Sequence, residues 1–384
     1  MLLLYFSLSV VIYHYLIYPI ATVYLAQIKN FSNISLTTSL IDETELPTVT
    51  LIIAAYNEEK VIERKIANSL ALEYPRGKLE IIIVSDGSTD LTPEIVKNYS
   101  APALIGLHQP ERQGKSAALN RAVEHASGEI LVFSDANNDF NSRAILALTA
   151  PFHDPKIGGV NGVKRIYAET DRSAADGDGF YWIYESTLKQ AESDLGSITG
   201  ADGEIFAMRK SLYKPIEKTV INDDAAITFN IIKKGFRIIY EKDALSYESA
   251  SIKLNEDFLV KQRMVAGGFQ TVSKEFRYLL SHPSLFSFQF FSHKILRWLI
   301  PHFLIIILFC SLLNSDNTFA FALLALQLIA YSLVFLAWII GPDSRLPRPV
   351  YFCYYFFLMN AAAFWGLFKY IQGQQTNLWS KAER

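Results

Sequence analysis

The sequence predicts an α/β domain, a mostly parallel sheet with helices on both faces, set between transmembrane helices at both ends. Three observations lead there. Hydrophobic residues make up 51% of the 384 and charged residues only 19%, below the soluble norm of about 25%, and the charges are unevenly spread. Between about residues 47 and 280, β-branched runs alternate with charged helical stretches, the pattern of a parallel sheet. Acidic and amide side chains recur directly after those runs, where the binding sites of such sheets gather. The 36 Lys+Arg against 38 Asp+Glu give a net charge of −2, which leaves no basic excess for nucleic acid. The length allows roughly two domains, and Cys310 and Cys353 both sit in apolar runs, so no disulfide framework is expected.

Residues 1–28 hold no Asp, Glu, Lys or Arg, and the first charge is Lys29. About 20 apolar residues cross a hydrocarbon core, so this run reads as an anchor. A cleaved signal peptide is the alternative, but a basic n-region is missing and the apolar stretch is too long. His14 and Pro19 read as packing and kink features. Residues 48–54 (TVTLIIA) form a strand buried on both faces. A helix follows over 58–70, with Val61, Ile62, Ile66 and Leu70 at helical spacing. Residues 79–85 (LEIIIVS) are the second strand, with a helix from Leu91; 103–107 and 129–134 (EILVFS) are the third and fourth, with a helix over 116–125 between them.

Residues 281–297 include SLFSFQFFSHKILR, in which four Phe side chains stand among His293, Lys294 and Arg297. That suits an amphipathic helix in the headgroup layer; a core helix of the water-facing domain is the alternative. Residues 298–372 form a C-terminal transmembrane region of about three hydrophobic segments: 298–313, short enough to be re-entrant, then 317–342 and 349–368. A tail covers 373–384. Arg345 and Arg348, and Lys29 after the first span, place the 47–280 domain in the cytosol of a multi-pass cell-membrane protein. Lys369, Lys381 and Arg384 pull the far end to that side too, in tension with three full crossings.

The first strand ends in Ala55-Tyr56-Asn57-Glu58-Glu59, the second in Asp86-Gly87-Ser88-Thr89-Asp90, the fourth in Asp135-Ala136-Asn137-Asn138-Asp139. Each alone reads as a cap or turn; together they mark one functional edge. Gly114-Lys115-Ser116 imitates the tail of a P-loop, but Gln109 stands where the earlier glycine belongs. Gly177-Asp178-Gly179 is half a dinucleotide fingerprint, with Trp182 in place of its third glycine. The seven histidines show no zinc spacing.

At these residues the chain resembles the family 2 glycosyltransferases with a GT-A catalytic domain, in particular the membrane-embedded cellulose, hyaluronan and poly-N-acetylglucosamine synthases. The resemblance covers about 47–278. It implies that Ala55, Tyr56, Asn57, Glu58 and Asp86 surround the nucleotide base, and that Lys115 lies near the diphosphate. Asp135 corresponds to the first carboxylate of an Asp-x-Asp motif that touches ribose and a divalent metal, Mg²⁺ or Mn²⁺. Gly200-Ala201-Asp202-Gly203 resembles the loop shaping the acceptor side, which assigns Asp202 and Gly203 to the acceptor. Asn222-Asp223-Asp224 matches an acidic pair whose second member is the catalytic base, so Asp224 takes that role and Asp223 holds the loop or the acceptor. The pair also suits the N-terminus of a helix.

The sequence departs from the pattern twice. Asn137, a neutral ligand, fills the second metal position, with Asp139 as a substitute. The Gln-x-x-Arg-Trp signature of processive synthases keeps only Arg263, which is expected to grip the diphosphate. The resemblance implies an inverting transfer of a UDP-activated hexose to a lipid-linked or glycan acceptor at the lipid bilayer. A polyprenyl-phosphate glycosyltransferase is one alternative. A catalytically silent nucleotide-sugar-binding scaffold among the partner subunits of an export complex is another. The spans carry no buried acid or base of the kind an ion pathway needs.

Overall fold

The computed structural model describes residues 1–32, 46–99, 101–167, 173–249, 254–341 and 346–374. The chain opens with α1 (Leu2–Ile12) and α2 (Tyr18–Ser32), joined by a π turn at Tyr13–Ile17. The sheet domain begins with β1 (Val49–Ala55), α3 (Ile62–Leu70), β2 (Leu79–Asp86), α4 (Thr92–Asn98), β3 (Leu104–Gln109), α5 (Lys115–His125) and β4 (Ile130–Asp135). It continues with β5 (Asn138–Phe140), α6 (Ala144–Thr149), β6 (Ile157–Tyr167), α7 (Ser173–Leu195), β7 (Ile205–Arg209), α8 (Asp223–Lys233) and β8 (Arg237–Ser249). A long α9 (Leu254–Ser281) leads to α10 (Leu285–Phe290), a second π turn at Phe291–Ile295, α11 (Leu296–Leu313), α12 (Thr318–Ile340) and α13 (Arg348–Ile371).

Among the described residues, eight strands are ordered β3-β2-β1-β4-β7-β6-β8-β5. The four read from the sequence are mutually parallel, as βαβ crossovers require. Beyond β4 the sheet is mixed: β7 lies antiparallel to β4 and β6, β6 and β8 are parallel, and β5 is antiparallel to β8. Side chains alternate between faces along each strand. Leu51, Ile53, Ile81 and Ile83 therefore pack with Ile62 and Ile66 of α3 and Ile145 of α6. Ile52, Ile82, Leu131 and Phe133 pack on the other side with Leu119 of α5 and Phe229 of α8. Both faces are covered, so these strands read as continuous apolar runs.

Among the described residues, four helical runs are long and apolar enough to cross a membrane: Leu2–Lys29, Leu285–Leu313, Thr318–Ile340 and Arg348–Ile371. Here the structure departs from the expected boundaries. From Leu285, the stretch expected as an interfacial helix runs on into 298–313 as a single 29-residue helical run, long enough to cross a membrane. The reason lies in its side chains. Phe286 and Phe290 turn inward, edge-to-face on Phe229 at 5.5 and 5.0 Å between centroids, and His293, Lys294 and Arg297 all meet the buried Glu185 of α7. Arg345, Lys381 and Arg384, on which part of the charge asymmetry rests, lie outside the described residues.

Candidate active site

β1 lies between β2 and β4, so the carboxyl ends of all three stand side by side. After β1 the chain turns at Asn57, whose φ of 54° is a left-handed conformation that Asn tolerates. Asn57 Oδ1 accepts from Thr89 N at 2.8 Å, its N–H donates to Ser88 Oγ at 3.1 Å, and Glu58 N–H donates to Thr92 Oγ1 at 2.8 Å. The loops after β1 and β2 are thereby one unit. Ala55 is fully buried and offers only its backbone. Tyr56 carries the Arg112 guanidinium over its ring, 3.6 Å from the centroid. Asp86, 1% exposed, accepts from Gln113 N and Gly114 N at 3.0 and 2.7 Å, and so fastens the loop that delivers Lys115. Gly87 allows the approach: its φ is 67°, and a Cβ there would stand 2.5 Å from Arg112 N.

Lys115 opens α5 and reaches Asp135 Oδ1 at 2.6 Å. Burial pulls its pKa down, but Asp135, with Asp223 and Asp224 beyond, holds the ammonium above its ordinary value. Asp223 and Asp224 begin α8, where the helix dipole favours acids. Gly203 faces them: a Cβ on it would lie 3.7 Å from both Asp224 Cβ and Lys115 Nζ, and 3.9 Å from Asp223 Oδ2. One lysine, three acids and a bare glycine thus converge from α5, β4, α8 and the loop before β7. Burial, then the neighbouring Asp223, pushes the Asp224 carboxyl up to about 7, against the pull of Ala225 N–H (2.7 Å) and Lys115. A carboxyl balanced near neutral pH is suited to accept a proton from a substrate.

Two expected site residues have other engagements, and a third, Arg263, stands apart on α9. Asp202 Oδ2 lies 2.6 Å from Lys189 Nζ of α7 and accepts from Asn161 Nδ2 at 3.2 Å, while its backbone N–H donates to Asn161 Oδ1 at 2.5 Å. Burial opposes its charge, but Lys189 holds its carboxyl below the ordinary range. Asn137 donates its amide to Glu248 Oε1 at 2.9 Å. Arg263 is half-buried on α9 and makes no ion pair among the described residues. Arg112, Lys189 and Glu248 went unmarked in the sequence because nothing local distinguishes them from surface charges.

No three His, Cys, Asp or Glu side chains gather at metal-ligand spacing among the described residues. The end of β4 instead presents one carboxylate, Asp135, and one amide oxygen, Asn137. These are hard donors of the kind Mg²⁺ or Mn²⁺ takes, with the remaining positions filled by substrate phosphates and water. Three acids around one ammonium also leave negative charge that a divalent cation suits. The residues fit a metal shared with a substrate rather than a protein cage.

A family model described as glycosyl transferase family 2 matches residues 50–216. The poly-beta-1,6-N-acetyl-D-glucosamine synthase of Staphylococcus aureus is 29% identical over 241 residues, covering 62% of this chain and 58% of that protein. Its namesake from Staphylococcus epidermidis is 26% identical over 233 residues, covering 59% and 56%. The chain therefore spans little more than half the length of these curated relatives. Among solved structures, a mannosyltransferase from Pyrobaculum calidifontis in complex with GDP-Man and Mn²⁺ matches with a TM-score of 0.72 at 25% identity, over 97% of this chain and 100% of that one.

Proposed function

For a chain that carries a family 2 glycosyltransferase domain of GT-A fold, we propose that it moves a hexose, with inversion, from a nucleoside-diphosphate sugar to a lipid-linked or glycan acceptor at the membrane. The observation that carries this reading is the meeting of Asp224, Gly203, Lys115 and Asp135 around one space. Gly203 leaves room for the acceptor. Asp224 takes the proton of its hydroxyl as the new bond to the anomeric carbon forms. The bond from that carbon to the diphosphate oxygen breaks with its electron pair leaving on the diphosphate, toward Lys115. Tyr56, under Arg112, and the clamped loops after β1 and β2 form the base side. Asp135 and Asn137 would hold a divalent metal, which would neutralise charge on the leaving diphosphate; the Mn²⁺ in the Pyrobaculum calidifontis mannosyltransferase structure supports divalent-metal use.

The UDP-sugar expectation draws support from the synthase relatives, whereas the structural match was solved with GDP-Man. That match spans both chains nearly whole, while the synthases are matched over 58% of their length. Single transfer to a lipid-linked acceptor, such as a polyprenyl phosphate, therefore stands beside polymer synthesis. The membrane-crossing candidates among the described residues support a membrane location, with the sheet domain on the cytosolic side. The test supplies UDP-, GDP- and dTDP-sugars with Mg²⁺, Mn²⁺ or chelator to membranes carrying the protein, beside Asp224→Asn. Nucleotide released only by the wild type names the donor, and short extractable lipid-linked product separates single transfer from polymer. Donor binding with no turnover on any acceptor would overturn the reading in favour of a binding scaffold.

A further inference from the structure

Asn137 stands where a second carboxylate is expected, and its surroundings supply a reason. Its Nδ2 donates to Glu248 Oε1 at 2.9 Å. Glu248 is 3% exposed and sits on β8 directly across from Asn138. Lys164 bonds Glu248 and also Glu204, the latter at 2.5 Å; Glu204 directly follows Gly203. One ammonium thus already serves two buried carboxylates. A third carboxylate at 137 would add like charge where burial makes it most costly, whereas an amide donates a charge-assisted hydrogen bond. With Nδ2 held by Glu248, Oδ1 is the amide atom left for the ligand side. The next acid, Asp139, is turned to Arg64 at 3.4 Å, so it does not take over.

We propose that Glu248, held by Lys164, is a positioning residue that makes an amide the working side chain at 137 and aims its oxygen at the metal–diphosphate. The proposal rests on the metal reading given above. It predicts a counterintuitive result: restoring the carboxylate in Asn137→Asp damages the loop unless Glu248 is neutralised as well.

Full-length wild type, Glu248→Gln, Asn137→Asp and the double variant are purified in detergent. Mn²⁺ affinity is read by electron paramagnetic resonance with UDP and, separately, GDP, and thermal midpoints are taken without metal. Glu248→Gln is expected to weaken Mn²⁺ about tenfold, as losses of ligand-orienting partners do, because the amide at 137 is then free to turn. Asn137→Asp is expected to lower the metal-free midpoint by about 3 °C. The double variant should recover that midpoint, since the amide introduced at 248 can donate to the carboxylate introduced at 137, and should bind Mn²⁺ at least as well as wild type. Unchanged Mn²⁺ affinity in Glu248→Gln, or an additive loss of midpoint in the double variant, would overturn the proposal. Absence of Mn²⁺ binding in the wild type with either nucleotide would sink the metal reading and with it the aim of Asn137. The metal-free midpoints would then still decide the Asn137–Glu248 pairing.

Discussion

Asp224→Asn removes a carboxyl whose ionisation is balanced near neutral pH while keeping its size and its place at the start of α8. The structure raises that group from its ordinary 3.8 to about 7. At about 1.4 kcal/mol per tenfold, the gap is worth about 4 kcal/mol for a group fully withdrawn from water. Asp224 keeps partial access to water and shares its repulsion with Asp223, so about 2 kcal/mol is expected. The folded pKa lies above the unfolded one, so the folded chain holds a proton between pH about 4 and about 7. Stability from this group is full below that window and lost as pH rises through it. At pH 8 the Asn variant should therefore be the more stable protein, by about 2 kcal/mol, and at pH 4 the advantage should vanish. Activity should move the other way. Wild-type kcat/KM should rise with pH toward a plateau above about 7, and the variant should fall by about 10²–10⁴ and lose that acid limb. Thermal midpoints at two pH values and nucleotide release across pH 5–9 give both readings. An acid limb that persists in Asp224→Asn, or a variant less stable than wild type at pH 8, would refute the reasoning.

Lys115→Ala leaves Asp135, Asp223 and Asp224 without their nearest cation; turnover should fall about 10²- to 10³-fold, with Lys115→Arg recovering part of it in steady-state assays. Gly203→Ala should fold and bind donor normally, because its Cβ would meet Asp224, Lys115 and Asp223 only at ordinary contact distances of 3.7–3.9 Å, but it should slow transfer; loss of donor binding would count against an acceptor-side role. Glu185→Gln leaves Lys294 and Arg297, each 2.8 Å away, facing an uncharged partner in a buried site. It should cost about 3 kcal/mol, read as the thermal midpoint in detergent. Burial works against the Glu185 charge, but Arg297 and Lys294 hold it well below the ordinary range. Its stabilisation is thus present above pH about 4.5 and lost on acidification.

The half of the sheet that was legible is the half built around strands that are nearly uninterrupted apolar runs, with the half-exposed β3 at its edge. β1 is buried at every position, and β2 and β4 nearly so, which periodicity detects. The other half hides for physical reasons. β6 reads IGGVNGVKRIY, with glycines that a propensity argument rejects, yet a Cβ at Gly159 would stand 2.8 Å from the Phe206 ring; that glycine admits a neighbouring strand's aromatic. β5 is three residues long, below any pattern length. At the site, where the structure brings Asp135, Lys115 and Asp224 together, Asp135 was marked by its strand end, and Lys115 and Asp224 by the family resemblance. Lys65 was marked by neither. It sits in ERKIANSL like any helix-surface lysine, yet it is fully buried beneath the loop after β4. There it donates to Ser134 Oγ, Asn138 O and Asn138 Oδ1 at 2.7–2.8 Å. Burial pulls its pKa down to about 7, with Asp139 and Asp135 resisting. Which charges go inside is decided by partners distant in sequence.

The same principle explains how the sheet domain is set against the apolar helices. Glu185, Lys189 and Glu192 stand four and three residues apart on α7, hence on one helix face. Glu192 accepts from Tyr18 of the first apolar run at 2.6 Å, and Lys29 of that run donates to the last carbonyls of α7, Asp194 O and Leu195 O, at 2.7 and 3.0 Å. His293, between Glu192 and Glu185 at 2.8 and 3.3 Å, joins the second apolar run to the same face. Lys189 turns the other way to Asp202, next to Gly203. Apolar packing alone tolerates sliding by a turn or a rotamer, whereas buried charge pairs are satisfied in only one register. A single helix face therefore fixes the glycine that faces Asp224 relative to the first two apolar runs, and it does so with charges that the hydropathy pattern gives no reason to place inside.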